Sequence, residues 1–382
     1  MNVVAIACAR DEIDIIEPFV RHTLALAARL VVLDNGSTDG TRDVLASLAN
    51  EGLPLDVIDD PSPGKYLSQR LTALMHHQAI EKYHAEWVLP LDADEFLEAK
   101  AIDLLAEASA QVEPLLLQWR SYVPTADDDP AEPNAVARIR HHVADEDDGL
   151  WKVVVPRAVA ADPRTVIVQG SHGVEIGRTA VPSRREYGVR LAHYPVRSAS
   201  QFVAKTVVGH LQNEVMPFRG SGCGWHHRDH YARFSRDPAG FLSSLAGIAD
   251  RYSRRLDDAA RRRLVEGPLE YRGGRLRYTT ASADPLGAWP PVLSYAQDLA
   301  RRYALLFGLL PETDRDAFDR HAAVHASLVR QLAERDDAVL GLSAGQQQLA
   351  DEVERLRGSW QWRVGGLVVG PLRAARRLWR RA

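Results

Sequence analysis

Three carboxylates within four positions, Asp92, Asp94 and Glu95, follow directly on the apolar run Trp87-Val88-Leu89-Pro90-Leu91. Side chains alternate between the faces of a strand, so Asp92 and Asp94 share a face if the backbone stays extended beyond Leu91, and Glu95 points to the other. Two carboxylates at that spacing raise each other's pKa, which a cation or a ring of donors between them relieves. Oxygen ligands favour a hard ion such as Mg2+ or Mn2+. These usually reach a protein through one or two carboxylates and complete their shell with water and substrate phosphate. A solvated acidic turn after a buried strand would carry the same residues, so the elements around the cluster decide between the two.

Those elements alternate. Residues 3–9 form a short, nearly continuous apolar run, the pattern of a strand buried on both faces, and Arg10-Asp11-Glu12 follows it. Helical spacing over 13–29 (Ile16, Phe19, Val20, Leu24, Ala27) leads to a second strand at 30–33, which ends in Asp34-Asn35-Gly36-Ser37-Thr38-Asp39-Gly40-Thr41. Gly36 and Gly40 suit tight turns, and Thr38 or Asp39 can cap a helix over 42–50. A strand at 55–58, a helix over 66–83 and the strand at 87–91 complete the series. The order predicts a doubly wound, mostly parallel α/β sheet, in which ligands bind beyond the strands' carboxyl ends. All three polar clusters fall at those ends, whereas surface decoration would scatter them over both edges.

The 382 residues are 46% hydrophobic and 26% charged, ordinary for a soluble globular protein, and the net charge of -4 gives no reason to expect nucleic acid as partner. The two cysteines, Cys8 and Cys223, are too few for a disulfide framework and fit a reducing compartment. No basic region precedes the first apolar run, which reads as a strand rather than a signal peptide, and no run of about 18 apolar residues suggests a spanning helix. A cytoplasmic protein is expected.

Taken together, Arg-Asp-Glu after the first strand, Asp-Asn-Gly-Ser-Thr-Asp-Gly-Thr after the second, and Leu-Asp-Ala-Asp-Glu-Phe resemble the family 2 glycosyltransferases of GT-A fold. The Asp-Glu-Phe ending is nearer to the subgroup with the Asp-x-Asp-Glu-Phe signature than to the processive synthases. The resemblance spans roughly residues 2–215 and implies a nucleotide-diphosphate sugar donor. It implies that Arg10 and Glu12 border the nucleoside pocket, that Asp34 and Asp39 contact the base or ribose side, and that Asp92 and Asp94 hold Mn2+ or Mg2+ bridging the diphosphate. Arg70, in the helix leading to the metal strand, and Lys65 are candidates for the donor phosphates, and each could equally be a solvated basic residue. A third metal ligand from beyond the metal strand is common in this fold; His193 is the first candidate and His172 its substitute. Arg197 and Lys205 would then neutralise the leaving diphosphate from the same side, Arg as a fork and Lys as a point charge. The family inverts at the anomeric carbon, which requires a base near the acceptor hydroxyl. Glu95 and His172 are the candidates, with an acid of the Asp145–Asp148 segment as competitor.

Beyond the metal motif, residues 115–120 read as a strand, 125–149 as a long polar loop, and 152–155 and 165–168 as antiparallel additions at the sheet edge. Cys223-Gly224-Trp225-His226-His227-Arg228-Asp229-His230 has ligand spacing too tight for the usual zinc pairs and suits an acceptor-site loop better. Residues 237–307 are mostly helical in pattern. With Leu332 at heptad position a, six of eight a and d positions up to Leu356 are apolar, so a coiled coil and homodimer are as plausible as a helix packed on its own core. From Arg357 on, seven arginines and no acid are interleaved with Trp360, Trp362 and Trp379, a composition that should lie in a membrane interface; a basic nucleic-acid arm is the rival, which the apolar content and the absence of Lys weigh against.

The expected organisation is a nucleotide-sugar-binding catalytic domain at 1–215, a helical acceptor-side region at 216–313, a long helix at 314–357 and a membrane-docking tail at 358–382. The implied activity is metal-dependent transfer to a glycan or lipid-linked acceptor in cell-surface polysaccharide assembly, at the inner face of the membrane. A sugar-phosphate nucleotidyltransferase is one rival, but it normally opens with a Gly-rich phosphate loop that Arg10-Asp11-Glu12 lacks. A non-catalytic, dimeric membrane scaffold is the other.

Overall fold

The computed structural model describes residues 1–108, 112–146, 150–215, 225–252, 262–280 and 287–306. The predicted series is present: β1 (Val3–Ala9), α1 (Ile16–Leu24), β2 (Arg29–Asp34), α2 (Thr41–Asn50), β3 (Leu55–Asp59), α3 (Leu67–Ala73) and β4 (Trp87–Asp92). From α3 the chain continues into wide π-helical turns at Leu74–Lys82. After β4 come β5 (Glu95–Leu97), α4 (Lys100–Glu107), β6 (Leu115–Ser121), α5 (Ala135–Arg138), β7 (His141–Val143), β8 (Trp151–Pro156), α6 (Arg157–Ala160), β9 (Thr165–Ile167), β10 (Val174–Ile176), β11 (Thr179–Ala180) and β12 (Arg184–His193). Then follow α7 (Ala199–Glu214), α8 (Trp225–Arg236), α9 (Pro238–Ser243), α10 (Leu245–Ala249), β13 (Leu264–Glu266) and α11 (Trp289–Leu306). Among the described residues no helix is long and apolar enough to cross a membrane.

The main sheet runs β3-β2-β1-β4-β8-β6-β12-β5. Its first four strands are parallel, and the register sets Cys8 level with both Leu33 and Asp92, and Asp34 level with Ala9 and Asp59. The polar residues that end these strands therefore reach one edge together. Alternation along β1 divides the core: Val3, Ala5 and Ala7 pack with Phe19, Val20, Leu45 and Leu48 of α1 and α2, whereas Val4 and Ile6 pack with Leu71, Met75 and Ala79 on the other face. Phe96 of β5 is fully buried and stands edge-on to both Phe19 and Tyr194, at 6.1 and 5.4 Å between centroids. Burying such a ring is worth about 1.5–3 kcal/mol and holds the turn after Asp92 on the core.

Three expectations change. β8 is no edge strand: it lies between β4 and β6, antiparallel to both, while β9 belongs to a separate three-stranded sheet with β10 and β11. The polar stretch 125–149 is not all loop, because α5 forms within it behind an Asn134 cap and β7 pairs with β13, about 120 residues on in sequence. The region from 237 onward is less helical than its pattern, since β13 and an extended segment separate α10 from α11. That segment is pinned to α1 by the buried Glu17, whose carboxylate accepts N–H bonds from Arg277, Tyr278 and Thr279 at 2.7–2.8 Å. The coiled coil and the basic tail lie outside the described residues.

Candidate active site

The loops that follow β1, β2 and β3 are tied together by their own acids. Asp39 accepts the N–H groups of Ile13 and Thr41 at 3.0 and 2.9 Å, Asp11 accepts that of Thr38 at 2.8 Å, and Asp34 accepts that of Ser37 at 3.2 Å. Gly36 and Gly40, at φ of 71° and 103°, make the turns these bonds require. Arg70 is likewise engaged, donating to Asp60 at 2.7 Å, to the Gly64 carbonyl at 3.0 Å and to the Ser62 hydroxyl at 2.8 Å. Asp34, Asp39 and Arg70 thus shape the floor between the loops, their polar atoms already engaged there. Arg10 is packed as well: its guanidinium sits 4.5 Å over the ring of the fully buried Tyr295 and donates to the Asn35 carbonyl.

At the end of β4 the backbone turns at Ala93-Asp94 rather than staying extended, which redirects the three carboxylates. Glu95 folds back toward Asp92, against the expectation of opposite faces, because its Oε2 accepts the Asp92 N–H at 2.9 Å. Lys152 of β8 lies between them, with Nζ 2.7 Å from Asp92 Oδ2 and 3.1 Å from Glu95 Oε1. Glu95 is fully buried, and burial raises its pKa against the pull of Lys152. It has no open path to an acceptor hydroxyl.

Asp94 faces a second group of cations. Lys205 Nζ of α7 is 2.5 Å from its Oδ2, and Arg197 Nη1 is 3.8 Å from the same atom. Burial alone would raise the pKa of Asp94; Lys205 and Arg197 more than reverse it and hold the carboxyl well below the usual range. Arg197 is turned inward, its fork closed on Asp14 at 2.7 and 2.8 Å, with Glu12 and the Tyr194 carbonyl taking its other donors. Glu12 is thereby the partner of Arg197 beneath the loop. His193 Nε2 is 3.8 Å from Asp94 Oδ1, and its ring stacks on Trp119 at 4.0 Å. Burial depresses the His193 pKa to about 4, so the ring is neutral at pH 7.

Two further groups rim the site. Lys65 Nζ lies 2.7 Å from His227 Nε2 in α8, and burial lowers its pKa to about 8. His172 donates from Nδ1 to the Trp151 carbonyl at 2.8 Å, since a carbonyl only accepts, and this leaves the lone pair on Nε2 of an exposed ring. Of the competing acids, Glu146 is engaged by the Ser121 N–H and Arg262, and Asp145 faces Arg263; Asp147 and Asp148 lie outside the described residues, as does Cys223. Tyr252 stands edge-on to both His193 and His226, at 5.4 and 5.9 Å.

Among the described residues no three His, Cys, Asp or Glu side chains already converge as a metal site. The donors nonetheless suit a divalent ion entering with phosphate. Asp92 and Asp94 present hard oxygens at one edge, His193 is neutral beside Asp94, and its buried Nδ1 has no hydrogen-bond partner among the described residues. The residues that sequence reasoning passed over are Lys152, Tyr252 and Tyr295. Lys152 left a trace, a lone charge inside Trp151-Lys152-Val153-Val154-Val155, which a buried strand carries only when the charge is paired.

Residues 4–140 match the profile described as Glycosyl transferase family 2. Over 99 residues the chain is 33% identical to the lipopolysaccharide core biosynthesis glycosyltransferase LpsC of Rhizobium meliloti (strain 1021); the match covers 26% of this chain and 34% of that relative, so it spans about a third of the relative's length. Among solved structures, S. aureus TarS 1-349 is 13% identical with a TM-score of 0.30, covering 65% of this chain and 74% of that one. The mannosyltransferase PcManGT from Pyrobaculum calidifontis, in complex with GDP-Man and Mn2+, is 15% identical with a TM-score of 0.35, covering 65% and 75%. The strand order and the polar edge described above agree with the match of residues 4–140 to the glycosyl transferase family 2 profile.

Proposed function

We propose that the protein transfers a sugar, with inversion, from a nucleotide-diphosphate donor to a glycan or lipid-linked acceptor in cell-surface polysaccharide assembly. One observation carries this reading: within a family 2 segment, Asp92 and Asp94 sit at the carboxyl edge of the sheet facing Lys152 and Lys205. Such transfer passes through an oxocarbenium-like sugar while charge grows on the leaving diphosphate. Asp92, Asp94 and His193 would hold Mn2+ or Mg2+, which when bound supplies Lewis-acid stabilisation of that charge. Lys205, 23% exposed, and the partly buried Lys65 add positive charge to the phosphates. Arg10, backed by the buried Tyr295 ring, borders the nucleoside, with Asn35 and the Asp34 and Asp39 turns as floor. His172 is the better base, because its Nε2 lone pair is exposed and its ring is oriented through Nδ1, whereas Glu95 acts by positioning Asp92. The composition of 358–382 supports docking on an anionic membrane surface from the cytoplasmic side, and that of 332–356 a homodimer.

The test is a thermal-shift screen of nucleotide sugars with Mn2+ or Mg2+, followed by turnover of the selected donor. A ligand bound only by the folded state raises its melting temperature by mass action. The Asp92→Asn, Asp94→Asn double variant should lose turnover by at least a hundredfold; retained turnover, or no shift with any donor, sinks the proposal.

A further inference from the structure

Lys152 and Lys205 differ in one respect that matters for how the site fills. Lys152 is 2% exposed, lies 5.7 Å over the Trp119 ring and is fixed between Asp92 and Glu95. Lys205 is 23% exposed and reaches Asp94 from the rim. Each aspartate therefore has its Oδ2 on an ammonium; Lys152 also serves Glu95, and Arg197 adds a further positive charge 3.8 Å from Asp94, so the pair already has its counter-charges. A divalent ion entering alone adds two positive charges beside two ammonium groups, in a place where partial burial weakens screening. A diphosphate arriving with the ion restores the balance and offers Lys205 a new anionic partner.

Resting on the transfer reading above, we propose that Lys152 and Lys205 are resident counter-cations of the Asp92–Asp94 pair, so that a divalent ion binds tightly only together with a diphosphate. Lys205, the more exposed of the two, passes from Asp94 to the diphosphate, while Lys152 stays and keeps Asp92 aimed at the ion. Coupling of this kind is reciprocal: the diphosphate tightens the ion by the same factor by which the ion tightens the diphosphate.

Equilibrium dialysis of the full chain measures protein-bound Mn2+ with Mn2+ alone and with Mn2+ plus inorganic pyrophosphate, corrected for the Mn2+–pyrophosphate complex in solution. The wild type should bind Mn2+ at least tenfold more tightly with pyrophosphate. Lys205→Met should bind Mn2+ alone at least tenfold more tightly than the wild type and show less coupling. Lys152→Met should do the same where its melt is cooperative, and Lys205→Met decides alone where it is not. Equal binding with and without pyrophosphate in the wild type, or unchanged Mn2+ affinity in Lys205→Met, overturns the proposal. Mn2+ bound in no arm, with a nucleotide sugar still raising the melting temperature, overturns it too but leaves the transfer reading standing. Failure of both the Mn2+ and the nucleotide-sugar measurements sinks the two together.

Discussion

Replacing Arg197 by Lys separates two roles that a sequence cannot distinguish, a phosphate contact and an internal clamp. The Arg197 side chain is fully buried and closes a fork on Asp14, with Glu12 and the Tyr194 carbonyl as further acceptors and Asp94 Oδ2 at 3.8 Å. A lysine keeps the charge but has a single nitrogen on a differently shaped stem, so at least two of these contacts are lost. Hydrogen bonds to charged groups contribute about 1.5–3 kcal/mol each, and water or local relaxation recovers part of that. The net loss is about 3 kcal/mol, at the low end of what breaking a buried ion pair costs. At about 2–4 °C per kcal/mol for a domain of this size, the melting temperature should fall by about 6–12 °C. The assay is a thermal melt paired with nucleotide-sugar binding at a temperature where both proteins are folded; donor affinity should change less than threefold. An unchanged melt with lost donor binding would refute the clamp and return Arg197 to the phosphates.

Two other outcomes are expected. His172→Gln should lower kcat at least tenfold with the donor KM little changed, and Gly170→Ala should follow it, because Gly170 sits at φ 77° and an added Cβ would lie 2.6 Å from His172 Nε2; full kcat in both variants would remove His172 as base. Stability should fall on acidification, since burial holds His230 and His193 at about 4 while the unfolded chain takes up protons near 6.5. The unfolded state then binds more protons across that window, so stability is complete above about pH 6.5 and declines toward pH 4, by on the order of 1–3 kcal/mol for each histidine. Melts at pH 7 and pH 5 check this, and equal values would contradict it.

The sequence alone determined the alternation of β1 to β4 with their helices and the meeting of Arg10–Glu12, Asp34–Asp39 and Asp92–Glu95 at one edge. Both follow from short-range rules: apolar runs of strand length are buried on both faces, and in a parallel sheet every such run ends on the same side. Tertiary structure alone decided which charges face which. β8 entered the middle of the sheet as an antiparallel strand, and Lys152 thereby met Asp92 across 60 residues of sequence, while α7 brought Lys205 to Asp94 across 111. The same packing turned Arg197 inward onto Glu12 and Asp14 and left His172 facing out. The physical reason is that a charge pair has no periodicity to betray it. Its partner is chosen by where strands and helices pack in space, and one turn at Ala93-Asp94 was enough to bring Glu95 beside Asp92 rather than opposite it.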